Sequence, residues 1–161
     1  MFESMFSFIA GLKVVLPSSP HDAKGLIKRP IRDNNPVILF EHQKLSDETG
    51  PVPAEDYVIP LGKAGIKRPG KDVTLVTYAY MVGKSLAAAE QLAREGIDVE
   101  VVDLRTVDPI DEEAIVALIE VEVGGFGVRL GAAEGEDEGR IEPAPEIVVA
   151  VRVTSHIHIH R

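Results

Sequence analysis

The chain has 161 residues, 45% of them hydrophobic and 27% charged, with a formal net charge of −9; that length suits one domain of usual size, or a small one with part of another. The acidic balance argues against binding nucleic acid or an anionic membrane surface, because like charges repel. Cysteine is absent, which excludes disulfides, thiolate metal sites and a cysteine nucleophile, and fits a reducing cytoplasm.

Aromatic residues make up 5% and tryptophan is missing, so the core rests on Val, Ile, Leu and Ala, as in strands buried on both faces. Residues 2–9 predict a short helix with Phe2, Met5, Phe6 and Ile9 along one face. Part of a domain cannot bury that face unaided, so an oligomer is expected. "LKVVLP" follows as a strand ended by Pro17. Ser19, Pro20 and Asp22 then make a helix start: Ser19 as cap, Pro20 at the first helical position, Asp22 beside the exposed amides. The helix runs to about Arg29 or Arg32 and ends or kinks at Pro30, which deletes a backbone donor.

"NPVILFE" is an apolar strand opened by a turn. The polar, proline-rich stretch after it predicts a linker over about 46–70. "DVTLVTY", "MVGKSLAAAEQLAREG" and "DVEVVDL" form strand, helix and strand, the crossover unit of a parallel sheet, with Gly96 ending the helix. "DPIDEEAIVALIE" opens another helix, its first turn crowded by Asp108, Asp111, Glu112 and Glu113. Beyond Glu120 the pattern loses order until "IVVAVRV", a last strand before "TSHIHIHR". There are no internal repeats. Apolar runs such as Val73 to Val76 are too short to cross a bilayer, and the apolar opening has no basic segment before it, so it makes a poor signal peptide.

Two stretches carry a resemblance. "GLKVVLPSSPHDAKGL" with "IRDNNPVILFE", and then "IPLGKAGIKRPGKDVTLVTYAYMVGKSLAAAEQLAREGIDVEVVDLRTVDPIDEEAI", resemble the beta subunit of thiamine-diphosphate-dependent 2-oxoacid dehydrogenases over roughly residues 2–116. The resemblance implies an α/β fold: part of a pyrimidine-binding domain over 1–45, the linker over 46–70, and over 71–161 an incomplete transketolase C-terminal-like domain, three layers around a mostly parallel sheet.

It also implies a function, the oxidative decarboxylation of pyruvate or a branched-chain 2-oxoacid with acyl transfer to lipoyl. The implied cofactors are thiamine diphosphate with magnesium, held by the whole alpha/beta assembly. The implied partners are an alpha subunit, a second beta subunit and the dihydrolipoyl acyltransferase, in the cytoplasm or, in a eukaryote, the mitochondrial matrix. A silent assembly domain is the rival from another class. A transketolase or a deoxyxylulose-phosphate synthase is a further alternative, against which "DAKGL" followed by "NPVILFE" argues. The implied chain begins partway through the pyrimidine-binding domain, so the glutamate that activates thiamine precedes Met1 and no catalytic residue transfers. The family also carries a strand and turn between "DEEAIVALIE" and "GGFG" that is missing here. The expectation is an incomplete sequence, with a fragment carrying an internal gap as the alternative.

The resemblance further implies a potassium site at the carbonyl of Pro30 and the side chains of Asp33 and Asn35, since oxygen ligands on a turn suit a hard cation. The local alternative is that Asp33 and Asn35 satisfy turn amides. His21, Glu41 and His42 are the other acid–base candidates. "GGFGVRLG" at 124–131 departs from the dinucleotide-binding glycine pattern and reads as a turn. The run Glu134, Glu136, Asp137 and Glu138 reads as a solvated loop. His156, His158 and His160 alternate as zinc or nickel ligands could, or form a tag-like tail.

Overall fold

A computed structural model of the chain describes residues 3–120 and 149–153. The glycine-rich turn, the acidic run and the histidine tail lie outside the described residues. Helix α1 (Glu3–Ser7) is shorter than the periodicity predicts. Phe6 turns into the core against Phe40, with ring centroids 5.5 Å apart, while Met5, Phe8 and Ile9 stay exposed.

Strand β1 (Lys13–Val15) is followed by α2 (Pro20–Ile27), whose cap is the expected one: the Ser19 hydroxyl accepts from the Asp22 amide at 3.2 Å. The helix stops before Pro30, and Pro30–Arg32 form a 3-10 turn leading to β2 (Val37–Leu39). The stretch from 46 to 64 contains no helix or strand, but it is docked on α2. The Ile59 amide donates to the Gly25 carbonyl at 3.0 Å, and the Tyr57 hydroxyl to the His21 carbonyl at 2.8 Å. Gly25 permits this approach, since a Cβ there would lie 2.7 Å from the Ile59 and Tyr57 side chains. The end of the expected linker is itself a strand, β3 (Gly65–Arg68).

Strand β4 (Val73–Thr77), helix α3 (Tyr80–Arg94) and strand β5 (Val99–Asp103) form the predicted unit, with β4 and β5 parallel from Val73 opposite Val99 to Thr77 opposite Asp103. A short β6 (Thr106–Asp108), α4 (Glu112–Glu120) and β7 (Val149–Val153) complete the described elements. Asp111 anchors the start of α4, accepting from the Ala64 amide at 2.9 Å and the Ala114 amide at 3.3 Å.

The strands make two sheets, ordered β2–β1–β6 and β3–β5–β4–β7. The α/β class holds, and both sheets are mixed: β1–β2 and β4–β5 are parallel, while β6, β3 and β7 pair antiparallel. Strand β3 arrives from an extended connector, so no crossover helix obliges it to run parallel. In the second sheet Val101 packs with Ala89 of α3 and Val102 with Ile115 and Leu118 of α4, so successive β5 side chains serve helices on opposite faces. Strands β5 and β6 are adjacent in sequence but lie in different sheets. Arg105 between them has φ 61°, a left-handed conformation that turns the chain sharply.

Candidate functional site

That turn closes a buried charged cluster. Ser18, Ser19 and Asp22 come from the start of α2, Lys67 from β3, and Asp103 and Arg105 from the end of β5. Asp22 and Asp103 are fully buried. The Lys67 ammonium donates to Asp22 Oδ2 and lies 3.5 Å from Asp103 Oδ2. Arg105 Nη2 lies 3.1 Å from Asp22 Oδ1. Ser19 Oγ donates to Asp22 Oδ2 at 2.7 Å, and the Arg105 amide donates to Asp103 Oδ1 at 3.0 Å. Gly65 makes room for the guanidinium, since a Cβ there would lie 2.5 Å from it.

The two carboxylates are driven apart. Burial pushes Asp22 up, but Lys67, Ser19 and Arg105 together outweigh it and hold the carboxyl below its ordinary value. For Asp103 burial wins over the contacts from Ser18 and Lys67, and the carboxyl is raised. Such pairs of titratable groups mark functional sites and structural ion networks alike. Here the cluster ties the α2 segment to the second sheet.

Beside it a cavity of about 280 Å³ is lined by Pro17, Ser19, Pro20, Ala23, Glu41, His42, Leu45, Ser46 and Glu48. Glu41 and His42, expected as candidates and adjacent in the chain, both line it. The His42 ring stacks on Tyr80 at 4.8 Å, and its Nδ1 accepts from the Lys44 amide at 3.2 Å. His21 is not in this lining. Its ring stacks on Tyr57 at 4.7 Å, with Nδ1 3.7 Å from Asp22 Oδ1. The cavity does not fit thiamine diphosphate: Glu41 and Glu48 would repel a diphosphate, and no lysine or arginine lines it. Among the described residues no group of three or more His, Asp or Glu could hold a metal ion.

Pro30, Asp33 and Asn35 lie together on one turn. The Pro30 carbonyl accepts from the Asp33 amide at 3.1 Å, Asp33 Oδ1 accepts from the Asn35 amide at 3.0 Å, and Asp33 Oδ2 accepts from the Lys13 ammonium at 2.6 Å. Lys13, then the Asn35 amide, hold the Asp33 carboxyl below its ordinary value. Local hydrogen bonding therefore accounts for both carboxylate oxygens, and a potassium ion here would share Asp33 with Lys13.

Sequence reasoning missed Lys67, Asp103 and Arg105. Asp22 read as a helix-start carboxylate beside the exposed amides, and its charged partners Lys67 and Arg105 lie 45 and more residues away in the chain. Buried acidic and basic residues of this kind leave no periodic signal.

Comparison with known proteins adds identity. Residues 1–48 match the transketolase pyrimidine-binding domain, and residues 62–123 the transketolase C-terminal domain. The chain is 52% identical over 115 residues to the 2-oxoisovalerate dehydrogenase subunit beta of Bacillus subtilis, covering 71% of this chain and 35% of that protein. It is 53% identical over 111 residues to the pyruvate dehydrogenase E1 component subunit beta of the same organism, covering 68% and 34%. The chain thus spans about a third of the length of these curated relatives. A solved structure described as a split gene transketolase, inactive beta4 tetramer, superposes with a TM-score of 0.59 at 26% identity, over 71% of this chain and 37% of that one. The chain thus carries the two transketolase domain matches in order and, over the part it spans, is about half identical to these beta subunits.

Proposed function

We propose that the chain serves as a beta subunit of the decarboxylating component of a 2-oxoacid dehydrogenase complex, acting on pyruvate or a branched-chain 2-oxoacid with acyl transfer to lipoyl. The observation that carries this reading is the succession of the two transketolase domains at about half identity to two such subunits. In it the partners are an alpha subunit, a second beta subunit and a dihydrolipoyl acyltransferase. Thiamine diphosphate carries the carbon chemistry and the protein assembly positions it with magnesium. The proposed domains are 1–45 and 71–161 with a connector over 46–70, the end of which supplies β3 to the second sheet. No described helix is long and apolar enough to cross a membrane, and the cytoplasm, or the mitochondrial matrix in a eukaryote, is the proposed location.

Since the cavity lined by Glu41 and Glu48 does not fit thiamine diphosphate, the 161-residue chain alone should not turn over pyruvate when supplied with that cofactor and magnesium. It should co-sediment with an alpha subunit of a related component. Absence of that association would sink the beta-subunit reading, and turnover by the chain alone would sink the expectation of inactivity. A silent assembly domain is the second reading, favoured by Met5, Phe8 and Ile9 exposed around α1. It predicts self-association by sedimentation without binding to the alpha subunit.

The turn at Pro30, Asp33 and Asn35 is proposed as a potassium site on the grouping of its oxygens. Asp33→Ala should then lower the melting temperature more in potassium than in a bulky organic-cation buffer, since a bound ion stabilises the fold by an amount that grows with its concentration. Equal loss in both buffers would leave the Lys13 pair and the Asn35 amide as the whole role of Asp33.

A further inference from the structure

The two buried carboxylates meet at one hydroxyl. Ser18 Oγ lies 2.5 Å from Asp103 Oδ2 and 3.1 Å from Asp22 Oδ2. A serine hydroxyl carries a single hydrogen and cannot donate to both. With both carboxylates ionised, one of these contacts would set two electron-rich oxygens together with no proton between them, in a fully buried place. The other partners do not relieve this. Ser19 and Lys67 both donate to Asp22 Oδ2, and the Arg105 amide serves Asp103 Oδ1. Besides Ser18, Asp103 Oδ2 has only the Lys67 ammonium near it, at 3.5 Å, so it is the less well matched of the two oxygens that Ser18 faces.

We propose that Asp22 and Asp103 share one proton through Ser18. Asp103 Oδ2–H donates to Ser18 Oγ, and the Ser18 hydroxyl donates to Asp22 Oδ2. Asp22 is then the anion, held by Lys67 and Arg105, and Asp103 the neutral acid. When Asp103 loses its proton to solvent, Ser18 turns its hydrogen toward Asp103 and Asp22 loses that donor. The charged and titratable groups facing the pair are Lys67 from β3, Arg105 from the β5–β6 turn and His21 from α2, 3.7 Å from Asp22 Oδ1. The opposite displacement of the two carboxyls agrees with the assignment, and as a coupled pair they titrate together.

The proton ties the α2 segment to β5, and its loss works against the fold. Asp103 binds its proton more tightly folded than unfolded, so its contribution to stability is complete below 3.8 and is lost as pH rises from there through the folded value. Asp22 acts in the opposite sense below 3.8.

Carboxyl carbon NMR of the full chain, labelled at aspartate, reads both groups, with Asp103 identified by its absence from Asp103→Asn. The expected result is an Asp103 midpoint above 3.8 and an Asp22 midpoint below it. Ser18→Ala should raise the Asp22 midpoint, and Ser18→Thr, which keeps the hydroxyl, should restore it. An Asp103 midpoint at or below 3.8 would overturn the proposal from the unaltered protein alone. An Asp22 midpoint unmoved in Ser18→Ala would overturn the shared proton.

Discussion

Replacing Lys67 by methionine should destabilise the chain by about 3 kcal/mol in urea denaturation at neutral pH, because removing one partner strands a buried charge. Its ammonium is the group that reaches both Asp22 and Asp103. Arg105 still faces Asp22 Oδ1 at 3.1 Å and moderates the loss. The deficit should depend on pH in a defined direction. Asp22 is held below its ordinary value of 3.8, so the stability it contributes is present above 3.8 and fades as pH falls through the folded value. The difference between the two proteins should therefore shrink in acid. Asp22→Asn combined with Lys67→Met should cost less than the sum of the single changes, as contacting partners do. A loss under about 0.5 kcal/mol, the range of ordinary surface substitutions, would place Lys67 outside the cluster's energetics.

Gly70→Ala should cost a similar amount, about 3 kcal/mol, at the upper end for overpacking. A Cβ at Gly70 would fall 2.2 Å from the Val99 carbonyl carbon and the Glu100 nitrogen. Those atoms are backbone of β5, paired with β4 at Val73 and Thr74, so they cannot move aside without breaking that ladder. Gly83, exposed on α3 with nothing within 4 Å of its Cβ position, is the matched control. Gly83→Ala should stabilise by about 0.8 kcal/mol through helix propensity. Thermal unfolding of both variants checks the pair, and Gly70→Ala melting with the unaltered chain would refute the close approach.

Local features were legible from the residues. The Ser19 cap, the break before Pro30 and the β4–α3–β5 unit each depend on a few neighbouring side chains whose hydrogen-bonding or apolar period is set within one or two turns. The turn at Asp33 was legible as a turn, but its chemistry was not, because Lys13 lies twenty residues earlier in the chain. Residues 46–64 read as a linker by composition, while Tyr57 and Ile59 dock on α2 through a gap that Gly25 leaves open.

The sequence by itself determined the α/β class, the α2 start, the β4–α3–β5 unit and, through its motifs, the two transketolase domain matches. Only the tertiary structure decided that β3 forms an edge strand, that β5 and β6 part into different sheets at Arg105, and that Asp22 and Asp103 meet inside the fold. The physical reason is range. Capping and periodicity act between residues a few positions apart, whereas burial of a charge depends on partners that only the folded backbone brings within hydrogen-bond distance.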